Sequence, residues 1–362
     1  MKTRWVSVAA LFFFSVAAIA QYRTALPGYR YKFPRDHFTH PDFQTEWWYY
    51  TGNVKSANGH RFGFELTFFR YGVDRESKTV STWAVHDLYF AHLALSDLDG
   101  DEFLHAERTN RAGLGIAGVS EADGRIWNGN WQVTWRSDEQ ILQAVDERFA
   151  LLFTLRPVKP PVIHGESGIS QKAEGAGHAS HYISLTRLNT QGEIELGSRK
   201  FQVIGTAWMD HEFFTHQLEP DQVGWDWMSI QLQNNTELML FHIRRKDGSI
   251  DPFSAGTFVD ALGNTTHLRR DEFSLEPVGA TWMSPATRAV YPVRWKISVP
   301  KLGIALEAST SLPSQELPSP AGFVPAYWEG AVVVSGTKGR SPIGGVGYLE
   351  MTGYDHPIEA LR

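Results

Sequence analysis

Apolar and polar positions alternate with a period of two along most of this chain, the spacing of strands with one buried face. In residues 61–70, Phe62, Phe64, Leu66 and Phe68 fall on one face. The run before it, Glu46-Trp47-Trp48-Tyr49-Tyr50-Thr51-Gly52, leads to it through Ala57-Asn58-Gly59, and Asn-Gly is the strongest short hairpin signal. Residues 82–96 read as a further strand, with His86, Leu88, Phe90 and His92 on one face and Asp87, Tyr89, Ala91 and Leu93 on the other. Shorter strands are predicted at 126–135, 140–146, 148–155, 181–188 and 200–204. Gly224-Trp225-Asp226-Trp227 opens a strand that turns at Asn234-Asn235 and returns over 238–244. Later strands are expected at 256–260, 266–268, 291–299, 304–310, 328–336 and 344–353.

A tryptophan pair with an acid, a hairpin and a return strand ending in arginine occur in both halves, a pattern that suggests duplication. Residues 157–177 are rich in Pro and Gly, and a connection that long is usually a lid or a mobile excursion. No segment shows a helical period with caps. Many short strands with Gly, Pro and Asn turns predict an all-β chain of barrels or sandwiches. Barrel interiors hold ligands, and inward aromatic faces suit an apolar guest.

Length and composition narrow this. A chain of 362 residues suggests about two domains. Aromatic side chains are abundant, with 13 Trp, 12 Tyr and 22 Phe, and they supply flat walls for apolar pockets. The absence of cysteine excludes disulfides and thiolate metal sites. Residues 1–20 read as an export signal: Lys2 and Arg4, an apolar Phe-rich run, then Ala18-Ile19-Ala20. That predicts a periplasmic or secreted protein with no stable membrane insertion once the signal is cleaved; the alternative is that the uncharged run from Trp5 to Tyr22 stays as a membrane anchor. Cleavage takes the formal balance from 34 − 40 = −6 to 32 − 40 = −8. An acidic chain without a basic stripe argues against nucleic acid as a partner. The predicted division is a signal over 1–20, one domain over 21–212 and a second over 213–362.

The candidate chemistry centres on Trp208-Met209-Asp210-His211-Glu212-Phe213-Phe214. Run extended, Trp208, Asp210 and Glu212 point one way and His211 and Phe213 the other. Adjacent titratable groups in apolar surroundings need partners, so the stretch is either a functional centre or a tightly paired structural joint. The predicted catalytic set is Asp210, His211, Glu212, Glu46 and His86. The predicted ligand-binding set is Trp47, Trp48, His92, Trp225, Asp226, Trp227, Tyr327 and Trp328. Both are expected to converge in one hollow where the halves meet. Glu46 stands before two tryptophans, and an acid beside bulky apolar groups tends to a raised pKa. Asp87 and Asp226 also suit plain turn or backbone bonding, and His92 suits a satisfied core. The histidine spacings specify no metal coordination pattern, and no cofactor is expected. Gly113-Leu114-Gly115-Ile116-Ala117-Gly118 has dinucleotide-loop letters without the flanking strand and helix. His211 and His216 are one residue too far apart for a zinc-protease helix.

Several motifs together resemble the AttH/carotenoid 1,2-hydratase family. They are Phe33-Pro34-Arg35-Asp36-His37, His40-Pro41-Asp42, Thr45-Glu46-Trp47-Trp48-Tyr49, Tyr89-Phe90-Ala91-His92 and Ser96-Asp97. Trp208-Met209-Asp210-His211-Glu212, Tyr327-Trp328-Glu329-Gly330, Gly347-Tyr348-Leu349-Glu350 and Thr352-Gly353-Tyr354 agree as well. The resemblance implies two fused lipocalin-like antiparallel β-barrels. It also implies relatives that add water to an isolated alkene or fold polyenes in cyclisations. In the hydratases a His-x-Trp pair follows the central acid; here His211 matches and Phe213 stands where Trp would. Such a hydration needs no cofactor: a buried acid (Asp210 or Glu212) protonates carbon, tryptophan faces stabilise the cation, and His211 or His86 takes a proton from water. The expected function is therefore binding of a hydrophobic isoprenoid, lipid or polyketide-like molecule, with hydratase or isomerase chemistry on it. The alternative is a carrier of such a molecule that leaves it unaltered.

Overall fold

The alternating segments form strands almost throughout. A computed structural model describes residues 22–73, 75, 81, 84–318, 325–359 and 361. The export-signal reading of residues 1–20, and Thr82 and Trp83 at the start of the strand read over 82–96, lie outside them.

The first sheet has thirteen strands. They are β1 (Thr45–Ser56), β2 (Arg61–Gly72), β3 (Asp87–Asp97), β4 (Glu102–Arg111), β5 (Ala117–Ser120), β6 (Arg125–Asn128) and β7 (Trp131–Arg136). There follow β8 (Glu139–Val145), β9 (Phe149–Pro157), β10 (Val162–Ile163), β11 (Ser170–Gln171), β12 (Ala179–Leu196) and β13 (Arg199–Phe214). The order is β4-β3-β2-β1-β13-β12-β9-β8-β7-β6-β5, with β10 and β11 pairing to β12. The sheet curls into a nearly closed barrel, bringing β6 against β2, β3 and β4.

The second sheet takes most of the remaining strands. These are β14 (Gln222–Leu232), β15 (Glu237–Arg245), β16 (Ala255–Val259), β17 (Thr265–Arg269), β18 (Ser274–Pro277), β19 (Thr281–Met283) and β20 (Val290–Pro292). The last are β21 (Arg294–Val299), β22 (Ile304–Ser309), β23 (Glu316–Leu317), β24 (Tyr327–Lys338) and β25 (Ser341–Thr352). The order β17-β16-β15-β14-β25-β24-β22-β21-β18 makes a half-barrel, with β23 on β24 and a separate β19-β20 pair. The all-β lipocalin-like class expected from the sequence stands, with the second barrel open. The chain crosses between the sheets after Phe214, so the first sheet runs two residues past the boundary read at 212.

Asn58-Gly59 turns β1 into β2 with Gly59 at φ 87°, the left-handed backbone an Asn-Gly hairpin uses. Phe62, Phe64, Leu66 and Phe68 point into the barrel as their period predicts, where they meet Trp48, Tyr50 and Trp131. These large side chains fill the barrel. Its interior is a packed core, so the guest that barrel interiors commonly hold has no room there.

The room lies between the sheets instead. β1 and β2 face β24 and β25, and Tyr49, Tyr182, Trp208, Trp227 and Tyr348 form a buried layer there. A Cβ on Gly63 would stand 2.5 Å from the Ala331 Cβ, so only glycine at 63 lets the sheets approach this closely. The connection read as a lid is pinned. Lys159 Nζ lies 2.6 Å from Glu237 Oε2, and Arg187 Nε lies 2.6 Å from Glu237 Oε1. β10 and β11 tie the same segment to β12.

Candidate active-site chamber between the sheets

Strand register sets the chamber wall in rows, because residues directly opposite on antiparallel neighbours share a face. One row on the first sheet is Phe90, Phe69, Trp47, Glu212 and Tyr182. The next is His92, Thr67, Tyr49, Asp210 and Ser184. From the second sheet come Phe241, Trp227, Glu350 and Glu329 in one row. Between them is a cavity of about 170 Å³, lined by Trp47, Trp225, Trp227, Tyr327, Asp210, Glu212, Glu350 and Lys172 among others. Trp47 meets Phe214 edge-on at 4.9 Å, and Tyr49 meets Trp227 at 5.3 Å. The walls are aromatic, and the acidic and basic lining groups are Asp210, Glu212 and Glu350 with Lys172 and Arg70.

Asp210 takes hydrogen bonds only from neutral donors. Ser184 Oγ donates to Oδ1, Trp208 Nε1 donates to Oδ1 at 2.6 Å, and the Tyr182 hydroxyl donates to Oδ2 at 2.6 Å. Burial outweighs these bonds and pushes the carboxyl up to about 7. Glu212 is raised by burial although Lys172 and the donors Ser180 and Gln217 oppose it. Glu350 is pushed up to about 8, by burial first and by the neighbouring acids Glu65, Glu212 and Asp210.

Glu65 rises to about 7 through burial, and Glu329 is raised well above the usual range by burial and by Glu350 and Glu65. Glu65 Oε2 and Glu329 Oε2 have no hydrogen-bond partner among the described residues, an arrangement that favours the neutral carboxyl. Lys172 Nζ sits 3.9 Å from Glu212 and 3.9 Å from the Phe241 ring centroid, its own pKa lowered by burial.

The opposite face of β1 and β13 carries a different cluster. Glu46 lies in a row with Phe213 and Arg70, and Trp48 with His211. Glu46 Oε1 is 2.8 Å from His40 Nδ1 and 2.8 Å from His211 Nε2, and Arg70 Nε donates to Oε2 at 3.1 Å. Arg70 Nη1 also donates to Asp87 at 2.8 Å, and His40 Nε2 is 3.2 Å from Asp36. Burial would raise Glu46, but His211, His40 and Arg70 overcome it and hold the carboxyl well below the usual range. His40 is raised, its bonds to Asp36 and Glu46 outweighing burial, whereas burial lowers His211. The donor atoms of His40, Glu46 and His211 lie within 4.8 Å of one another, close enough for a metal, yet they are engaged with each other and with Arg70.

The single convergence expected from the sequence therefore divides. Asp210, Glu212, Trp47, Trp225, Trp227 and Tyr327 line the chamber. His92 stands behind it, Nδ1 2.5 Å from the Tyr327 hydroxyl, which donates to Glu65 at 3.2 Å. Glu46, His211 and Trp48 face away, because their side chains fall on the odd steps of the alternation relative to Asp210. The acid before two tryptophans thus has a lowered pKa, not the raised one its neighbours suggested, since cations reach it. His86 sits at the bend before β3, half-buried, and does not line the cavity. Asp226 pairs with Arg244 at 3.2 Å on the far side of β14, and Trp328 is buried in the half-barrel core. Phe213 stacks on His40 at 3.6 Å, so the Phe-for-Trp departure falls in the ionic cluster and leaves the chamber wall untouched.

Sequence reasoning missed Glu65, Glu329 and Glu350 as site residues, and with them Tyr49, Tyr182 and Lys172. The three glutamates shared one signal: each is the lone acid of its strand.

A family model described as AttH-like matches residues 24–354. The crystal structure of a candidate AttH from Nitrosomonas europaea is 35% identical, with a TM-score of 0.82 over 92% of this chain and 99% of that one. Kievitone hydratase from Nectria haematococca superposes with a TM-score of 0.66 at 16% identity, over 87% of this chain and 90% of its own; at that identity the likeness concerns the fold. No curated protein sequence matches.

Proposed function

The chain belongs to the AttH-like family, and from that premise we propose that the chamber binds an apolar, alkene-bearing molecule and adds water across its double bond. The observation that carries this reading is Asp210, a buried carboxyl with its pKa raised to about 7 that faces an aromatic hollow. Kievitone hydratase, on the same fold, acts as its name says, and that lends the reading support.

Protonating an unactivated alkene needs an acid still holding its proton near neutral pH, and burial provides one. Asp210 gives its proton to an alkene carbon, and the π electrons form the new C–H bond. The carbocation left behind lies against the indole faces of Trp47 and Trp227. The new carboxylate keeps three donors, from Ser184, Tyr182 and Trp208. Water then forms the C–O bond and surrenders a proton to Glu212, which Lys172 biases toward the ionised state. Return of one proton to Asp210 closes the cycle with no oxidant or reductant. Glu212 takes the base role that the sequence suggested for His211 or His86, because neither imidazole reaches the cavity.

Organic extraction of purified protein and mass spectrometry of the extract identify the guest. Incubation of that guest in ¹⁸O-labelled water then gives a product carrying one labelled hydroxyl, and Asp210→Asn gives none while still binding. A guest recovered unchanged from both proteins overturns hydration in favour of a carrier. The basic start, apolar run and small-residue site of residues 1–20 support export. Recovery from the periplasmic fraction of a protein shortened by those residues tests it.

A further inference from the structure

Asp210 accepts three hydrogen bonds, which suits a carboxylate. A protonated Asp210 carries an O–H that needs an acceptor, and with apolar walls in front of it a partner that can turn round from donor to acceptor supplies one. The Trp208 indole N–H cannot. The Tyr182 hydroxyl already accepts from Trp227 Nε1 at 3.0 Å, which directs its own O–H to Asp210. Ser184 can reverse, because His164 stands behind it. His164 Nε2 lies 2.6 Å from Ser184 Oγ, and His164 Nδ1 lies 2.8 Å from Thr257 Oγ1 on the other sheet. The imidazole is 1% exposed. Its backbone N–H donates to the Tyr182 carbonyl at 2.9 Å, and its ring lies 4.3 Å from the Tyr182 ring. A neutral imidazole can exchange its donor and acceptor ends without changing charge.

We propose that His164 is a positioning residue for Asp210, switching between its two neutral tautomers through Ser184 as Asp210 gains and loses its proton. With Asp210 ionised, Thr257 donates to Nδ1, Nε2–H donates to Ser184, and Ser184 donates to Oδ1. With Asp210 protonated and no alkene in the chamber, its O–H donates to Ser184, Ser184 donates to Nε2, and Nδ1–H donates to Thr257. Each arrangement leaves one proton on His164, one on Ser184 and one on Thr257; only Asp210 gains one, from the chamber. Without the reversal, two O–H groups would point at each other in a buried site, or one donor would go unpaired. The charged and titratable groups around the pair are Glu212, Glu350, Glu329, Tyr182 and Lys172 beside Asp210, and Lys172 and His267 beside His164. Burial, then Lys172 and His267, holds His164 down to about 3, so its ring stays neutral across the range in which Asp210 titrates.

The inference rests on Asp210 as the titrating acid of the chamber, and its test needs no substrate. Full-length protein with ¹⁵N-labelled histidine is followed by NMR from about pH 5 to about pH 9. The expected result is a His164 ring that stays uncharged, protonated on Nε2 at the alkaline end and on Nδ1 at the acid end, crossing near pH 7. Ser184→Ala removes one hydroxyl and is expected to abolish the swap; Asp210→Asn, as a second variant, is expected to hold one tautomer throughout. A single tautomer across the whole range in the unsubstituted protein, or a swap that persists in Ser184→Ala, overturns the inference. Labelled product with no swap overturns this inference alone, and a swap with no product overturns hydration alone.

Discussion

The two faces of the β1–β13 pair bury carboxyls almost equally and treat them in opposite ways. Glu46 is 0% exposed and Asp210 4%, yet one is held well below its ordinary pKa and the other pushed up to about 7. Desolvation is the largest single influence on both. What separates them is the partner: Glu46 meets Arg70 and two imidazoles, whereas Asp210 meets a serine, a tyrosine and an indole. Burial alone therefore does not keep a carboxyl protonated; burial without a cation does. On the proposed reading, the choice between functional centre and structural joint posed by Asp210-His211-Glu212 gives both, Asp210 and Glu212 on the chamber side and His211 in the paired cluster on the other.

Substitutions that exchange these fates test the contrast. The largest effect falls on turnover. Asp210→Asn is expected to cost roughly 10²- to 10⁴-fold in rate, the usual contribution of a general acid, with little loss of stability in a urea titration. Arg70→Met should act the other way. It removes the guanidinium that Glu46 and Asp87 share, and breaking a buried pair costs about 3–5 kcal/mol, read as an earlier unfolding midpoint.

Next in size is the pH dependence of stability. Asp210 and Glu350, raised to about 7 and about 8, keep protons when folded that the unfolded chain releases near pH 4. Their contribution is complete below that pH and is lost as pH rises through 7 and 8. Glu46 runs oppositely: its contribution is present above the ordinary glutamate pKa and is lost as pH falls toward its depressed one. Urea midpoints are thus expected to fall between about pH 5 and about pH 8, and Glu350→Gln to flatten that decline. The smallest effect is expected from Lys172→Met. It leaves Glu212 without its cation, so the acid limb of the pH–rate profile moves to higher pH.

Much of this was legible in the sequence wherever one strand's alternation carried the information. The core face of Phe62 to Phe68, the Asn58-Gly59 turn, and the opposite pointing of Asp210 and His211 all follow from a period of two. Which face meets which neighbour was not legible. That depends on β1 pairing with β13 and on β25 closing against β14, contacts between residues far apart in the chain. Glu46 and Asp210 thus looked like partners, though a sheet stands between them. Trp328 looked like a wall residue because Tyr327 beside it is one. Lys172 and His164 were hidden in a Pro- and Gly-rich connection whose composition says loop and whose buried ends act as rivets.

The central claim is that Asp210 and Glu350 hold protons near neutral pH while Glu46 does not. Infrared spectroscopy of the full chain in deuterated buffer near pH 7 measures this directly, through the carbonyl stretch of protonated carboxyl groups. The expected spectrum shows that band, weakened in Asp210→Asn and in Glu350→Gln and unchanged in Glu46→Gln. A spectrum without it, or a band that disappears only in Glu46→Gln, contradicts the claim.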